Sequence, residues 1–191
     1  MLYPITPRAT PFEPYAWVDG VFSPEELDRL QSQARNATQA ARVGGFASAN
    51  PDIRRSNVDW LKPTPESQWV FERLAAAAGD MNAKFYRFDL TGFGEPLQLT
   101  NYDQSDHGMY GWHQDFNGEI SRKLSVVVQL SDPSEYEGGN LEIMNGSTPL
   151  AVRKQRGLMA VFPAFNLHQV TPVTRGSRQS LVAWISGPAF K

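Results

Sequence analysis

Residues 124–144, LSVVVQLSDPSEYEGGNLEIM, hold two apolar segments separated by turn residues. Val126, Val127 and Val128 are apolar in succession, so a strand over Leu124–Leu130 would be covered on both faces and lie centrally in a sheet. Glu137-Gly138-Gly139-Asn140 supplies a turn, and Asn140 to Met144 reads as the following strand. The same texture continues on both sides of this pair. Tyr86–Leu90, Leu97–Tyr102, Trp112–Asp115, Leu158–Phe162, His168–Val170 and Leu181–Ile185 are short apolar or alternating segments bounded by turn residues, with no helical pattern between them.

Upstream of this run the apolar period changes. Ser23-Pro24-Glu25-Glu26 carries a capping residue, a proline suited to the first helical position and a glutamate that completes a capping box. Leu27, Leu30 and Ala34 then recur at helical spacing, so a helix is expected from about Pro24 to Asn36. A second helix opens at Thr64-Pro65-Glu66, continues through Trp69, Val70, Leu74 and the alanines at 75–78, and ends near Lys84 or Phe85. Residues 43–59 mix glycine, polar residues and the adjacent Arg54 and Arg55, and read as a loop with a short strand. Helices followed by about eight short strands indicate an α+β fold: a double-stranded β-helix, or jelly roll, with the N-terminal helices packed on one sheet. The 191 residues fit a single domain, with helical support over about residues 1–85 and the jelly-roll core over about 86–191.

Composition removes several classes of function. The net charge is -2 and the basic residues are scattered, so no electrostatic footprint for nucleic acid exists. The absence of cysteine rules out disulfides, thiolate metal ligands and a cysteine nucleophile. No apolar run approaches a membrane span, and Met1 to Pro7 lacks the features of a signal peptide; a soluble, cytoplasmic protein is expected.

The chemistry lies in Trp112-His113-Gln114-Asp115 and Leu167-His168-Gln169-Val170, with Arg178 ten positions beyond His168. In a strand, His113 and Asp115 would point to one side and Gln114 to the other. With His168 as a third ligand they would make a 2-His-1-carboxylate triad, the usual arrangement in non-heme iron(II) oxygenases. His-x-Asp alone is weak, and a lone histidine is more often structural than a ligand. The second histidine about fifty residues on, with an arginine behind it, makes the pattern specific.

Over roughly residues 95–188 the chain resembles the Fe(II)- and 2-oxoglutarate-dependent dioxygenases, and within them the prolyl-4-hydroxylase-like branch that includes the bacterial PKHD-type hydroxylases. Tyr102 and Tyr110 ahead of Trp112–Asp115, Leu130-Ser131-Asp132-Pro133 leading into Gly138-Gly139, and His168 to Arg178 carry the resemblance, which extends loosely to Ile53-Arg54-Arg55-Ser56. It implies Fe(II) held by His113, Asp115 and His168, with Arg178 salt-bridged to the distal carboxylate of 2-oxoglutarate. It also implies O2 as cosubstrate, ascorbate as an accessory reductant, succinate and CO2 as products, and a prolyl or other peptidyl side chain as substrate.

Arginine suits that contact because its planar fork engages a carboxylate through parallel hydrogen bonds and does not deprotonate. On a final strand Arg178, Ser180, Val182 and Trp184 would share a face, so Ser180 could add a hydroxyl to the same carboxylate. Ser125, Val127 and Gln129 would share a face opposite. Gln129 stands where the family often has tyrosine, and an amide contact from Gln129, or a contact from Tyr102, is expected as the second hold on the cosubstrate.

Blander readings stand beside these. Tyr102 and Tyr110 also suit core aromatics, Trp112 and Trp184 packing, Arg175 a solvated turn and His107 a polar loop, while Arg54 and Arg55 fit either the mouth of the barrel or a surface pair. The same chemistry on a free amino acid or other small molecule is the alternative substrate reading. A binding module with a vestigial site would not need the full set of ligands and Arg178, and a cupin-type hydrolase would not need Arg178.

Overall fold

The computed structural model describes residues 13–42, 50–116 and 121–189. The loop expected over 43–49 therefore lies outside the described residues. Along the chain run β1 (Ala16–Val18), α1 (Pro24–Arg35), β2 (Gln39–Ala40), β3 (Arg54–Arg55), β4 (Asn57–Leu61), α2 (Gln68–Met81), β5 (Gly92–Phe93), β6 (Leu97–Asp103) and β7 (Met109–His113). They are followed by β8 (Arg122–Gln129), β9 (Tyr136–Gly138), β10 (Leu141–Asn145), β11 (Thr148–Ala151), β12 (Met159–Pro163), β13 (His168–Val170) and β14 (Val173–Ser186). Among the described residues the protein is mostly β-sheet with two α-helices.

The larger sheet has the order β1-β12-β8-β14-β6-β4-β2, with β5 and β9 also on β14; the smaller has the order β11-β10-β13-β7-β3. Every recorded pairing is antiparallel. β8 lies between β12 and β14, the central position expected from its valines.

Strand alternation sends side chains of the larger sheet to two environments. On one face Leu97, Leu99, Leu124, Val126, Val128, Met159, Val161, Leu181 and Ala183 cluster with Leu27, Leu30 and Ala34 of α1 and with Val70, Leu74 and Ala78 of α2. On the other, Tyr102, Val127, Ala160 and Phe162 pack with Leu141, Ile143 and Val170 of the smaller sheet. Each large aliphatic side chain fully removed from water contributes about 1.5–3 kcal/mol.

Ser23 accepts from the Glu26 amide while Glu26 accepts from the Ser23 amide, so α1 begins with the anticipated capping box. α2 starts at Gln68, not Thr64: Ser67 Oγ donates to the Lys62 carbonyl and accepts from the Thr64 amide (2.9 Å), holding residues 64–67 in a turn.

The strand expected over Tyr86–Leu90 is not formed. α2 passes into a π-helical turn, Asn82–Tyr86, closed by Arg87 at φ 58°. Asn82 then donates to the Phe88 carbonyl and accepts from its amide, both at 2.9 Å, occupying backbone groups that a strand would pair. β14 is much longer than the expected Leu181–Ile185, and Arg175 lies within it and not in a turn.

Candidate active site

A cavity of about 390 Å³ opens between the two sheets and is lined by His113, Asp115, His168, Tyr102, Arg178, Ser180 and Trp184, among others. Pairing β13 with β7 sets His168 directly opposite His113. Asp115 arrives differently from the expected strand alternation, because β7 ends at His113. The Asp115 and Phe116 amides both donate to the Ala164 carbonyl (3.0 and 3.1 Å), which turns the chain after His113. Ser125 Oγ donates to Asp115 Oδ2 at 2.6 Å and fixes the carboxylate from β8.

The ligand-capable atoms of His113, Asp115 and His168 lie within 4.8 Å of one another. His113 Nδ1 donates to the Gly111 carbonyl (2.7 Å) and His168 Nδ1 to that of Asn166 (2.9 Å), which puts a proton on each Nδ1 and leaves Nε2 as the atom each ring offers to the cluster. The Nε2 atoms stand 3.8 and 3.5 Å from the Asp115 carboxylate. Tyr110 stacks on His113 with centroids 3.4 Å apart, and Phe162 meets His168 edge-on.

Burial, followed by the neighbouring His168, pushes His113 down to about 3. For Asp115, burial acts upward, but the two imidazoles and the Ser125 hydroxyl outweigh it and hold the carboxyl below its ordinary range. Among the described residues Trp184 Nε1 forms no hydrogen bond of good geometry, yet it lies near enough to Asp115 to add to that effect. Neutral imidazoles and an ionised carboxylate are the donor states that a divalent metal requires. Their N/N/O set, with no thiolate, fits iron(II) and leaves the cavity side available for exogenous ligands.

Arg178 lies deeper on β14 and is 1% exposed. Its Nη2 donates to Gln129 Oε1 (2.9 Å) and Nη1 reaches Ser180 Oγ at 3.5 Å, while the guanidinium stands 5.4 Å from the Tyr102 ring. These partners are neutral, and buried Nε has none among the described residues. The four residues named for the cosubstrate thus meet in one place. Gln129 reaches it through its amide oxygen, as an acceptor from Arg178. Arg175 is exposed and paired with Glu137 at 2.8 Å.

Other expectations separate in space. Trp112 is 37% exposed, while Trp184 is buried and lines the cavity. His107 is not among the lining residues. The two adjacent arginines divide: Arg54 enters the cavity, whereas Arg55 turns outward to the carbonyls of His107 and Pro51.

Sequence reasoning missed Arg122, which pairs with Glu95 at 2.6 Å, donates to the Asp115 carbonyl and stacks over Trp184. It also missed Gln98 and Trp60, which line the same cavity. Alternation along β6 would have placed Gln98 on the Tyr102 face.

The sequence model of the 2OG-Fe(II) oxygenase superfamily matches residues 97–186, which contain all three ligand candidates and Arg178. A PKHD-type hydroxylase of Azoarcus sp. (strain BH72) is 35% identical over 174 residues, covering 84% of this chain and 73% of the relative. One from Acidovorax ebreus (strain TPSY) is 37% identical, covering 88% and 76%. Among solved structures, a Pseudomonas putida prolyl-4-hydroxylase superposes with a TM-score of 0.72 at 20% identity, covering 91% of this chain and 92% of that one. A Trichoplax adhaerens prolyl hydroxylase, in complex with a hypoxia inducible factor peptide fragment, gives 0.73 at 15% identity, covering 91% and 84%. Those two establish the jelly-roll fold. The sequence relatives, with the match over residues 97–186, show that the chain belongs to the PKHD-type hydroxylases of the 2OG-Fe(II) oxygenase superfamily and is a 2-oxoglutarate-dependent dioxygenase.

Proposed function

We propose that this enzyme hydroxylates an unactivated C–H bond of a prolyl or related peptidyl side chain, with release of succinate and CO2. The observation that carries the reading is one cavity holding both the His113–Asp115–His168 cluster and a buried Arg178 that no carboxylate pairs among the described residues. In this reading His113, Asp115 and His168 hold the iron, and Arg178 takes the distal carboxylate of 2-oxoglutarate. Iron(II), with 2-oxoglutarate and O2, supplies the oxidising power that turns C–H into C–OH, and ascorbate serves as an accessory reductant.

The chain's own residues bind, orient and shield. Gln129 and Ser180 keep the Arg178 fork aimed into the cavity, and the Tyr102 face supports its charge. The Gly111 and Asn166 carbonyls hold the Nδ1 protons, so each imidazole presents Nε2. Ser125 fixes one carboxylate oxygen of Asp115. Val127, Leu141, Val170 and Val182 give the cavity an apolar wall that keeps water from competing for the oxidant. Residues 1–191 act as one domain, with α1 and α2 bracing the outer face of the sheet that carries Arg178. Among the described residues no helix is long and apolar enough to cross a membrane, and we place the enzyme in the cytoplasm.

The test is to supply Fe(II), 2-oxoglutarate and ascorbate under air with a panel of prolyl peptides, proline and other free amino acids. Succinate and the gain of one oxygen are read by mass spectrometry. The reading predicts succinate formation and a peptide product that carries one added oxygen. Oxidation of a free amino acid alone would move the substrate to the small-molecule class, and absence of succinate throughout, despite bound iron and 2-oxoglutarate, would contradict the proposal.

A further inference from the structure

Arg54 is a second buried cation facing the same cavity, 7% exposed on the short edge strand β3. Its Nε donates to Ser56 Oγ at 3.0 Å and its Nη2 to Gln98 Oε1 at 2.7 Å, both neutral acceptors. Nη1 donates to nothing among the described residues. The guanidinium stands 4.5 Å from the centre of the Tyr110 ring, and that ring stacks on His113. Arg35, Arg73, Arg122, Arg156 and Arg175 each hold a carboxylate at 2.6–2.8 Å. Only Arg54 and Arg178 are buried in the cavity wall without one, among the described residues.

A buried charge kept without a counter-ion is costly, and its retention beside a metal site calls for an anion brought by a ligand. Arg178 already accounts for one anion under the proposed 2-oxoglutarate reading, on which this inference rests. Arg54 is anchored at a different point of the cavity wall from Arg178. Its partner Gln98 precedes Tyr102, the neighbour of Arg178, by four residues on β6, a separation of about 13 Å along the strand. In that reading Arg178 would hold the distal carboxylate of 2-oxoglutarate, and its other, keto-acid end would be needed at the iron that His113, Asp115 and His168 would hold. A further anion at Arg54 would then belong to the molecule being oxidised.

We infer that Arg54 is a specificity-determining residue that binds a carboxylate of the substrate and so holds the target carbon over the iron-facing side of the cavity. Gln98 bridges β3 to the larger sheet and fixes the guanidinium, and Tyr110 supports its cationic face. The carboxylate has two possible sources of the same chemistry: the α-carboxylate of a free amino acid, or an acidic side chain next to the target residue in a peptide.

The test presents each probe in charged and neutral form to the iron- and 2-oxoglutarate-supplied enzyme. Free L-amino acids are paired with their amides, and proline-centred pentapeptides carrying aspartate beside the proline are paired with their asparagine counterparts. Oxygen incorporation gives kcat/KM for each, and calorimetry under argon gives affinity without turnover. Wild-type enzyme should favour the carboxylate member of at least one pair by about tenfold to a hundredfold, the worth of a hydrogen bond to a charged partner. Which series shows the preference identifies the source.

Arg54→Gln should bring the ratio of acid to neutral probe close to one in both measurements, and Arg54→Lys should keep part of it. A merely structural role would lower both members of a pair together and leave the ratio unchanged. An unchanged ratio, a wild-type preference for the neutral member, or succinate formation with no acidic probe bound or oxidised would overturn the inference. Absence of succinate in every mixture would instead remove the oxygenase reading beneath it. Should Arg54→Gln fail to fold, Arg54→Lys against wild type decides on the same ratio.

Discussion

At His113 the protein has set the protonation state before any metal arrives. Burial, then His168, depresses the folded-state pKa to about 3 from the ordinary 6.5. Between those values the unfolded chain binds a proton that the folded chain refuses, so this contribution to stability is complete above about 6.5 and is lost as the pH falls towards 3. Metal-free protein should therefore melt at progressively lower temperature through that window, and His113→Asn should flatten the decline; an equal slope in both would contradict the assignment. That His113, Asp115, His168 and Arg178 gather at one cavity was legible in the sequence, because metal and oxo-acid chemistry accepts few residue types. Arg54 was not, since Arg54-Arg55 reads equally as a surface pair, and only Tyr110 and Gln98, distant along the chain, show which of the two turns inward.

Among the elements, the turn at Gly138-Gly139 does more than reverse the chain. Gly138 has φ 72° and a Cβ there would stand 2.0 Å from the Pro172 carbonyl oxygen; at Gly139, φ 57°, it would stand 3.0 Å from Arg178 Cδ. Gly138→Ala should destabilise the fold by more than about 1 kcal/mol, read by denaturant unfolding, because backbone has to move. Gly139→Ala should raise the Kd for 2-oxoglutarate by pushing on Arg178. If it lowered stability while leaving that Kd unchanged, the contact would have no part in the site. α1 was readable from its capping box, whereas β14 was readable only over its apolar end. Residues 174–180 of that strand are Thr, Arg, Gly, Ser, Arg, Gln and Ser, a polar run that looks like loop: Arg175 pairs with Glu137 at the surface, Arg178 and Ser180 line the cavity, and Gln179 bonds to Asn101 on β6. The short strand expected within 43–59 forms as β3, and the strand expected at 86–90 is replaced by the end of the π-helical turn and the chain that Asn82 ties at Phe88.

Taken whole, the molecule is a sheet with an apolar back and a chemically equipped front. Leu124, Val126 and Val128 face the cluster that includes α1 and α2, while Ser125 and Gln129 on the same strand hold Asp115 and Arg178. That period-two division places ligand support and core on one element, and it made the fold class legible even where strand ends were not. Because the metal would tie β13 to the segment after β7, adding Fe(II) without oxygen should raise the melting temperature, and His168→Ala should abolish the rise. We propose one cavity in which iron on His113, Asp115 and His168 is held together with 2-oxoglutarate on Arg178. The most direct measurement is the visible charge-transfer absorption when 2-oxoglutarate is added anaerobically to the Fe(II) protein. A weak band is expected in wild type and in Arg175→Ala, with its severe loss at the same 2-oxoglutarate concentration in Arg178→Ala; no band in metal-loaded wild type, or equal loss in the two arginine variants, would overturn the proposed site.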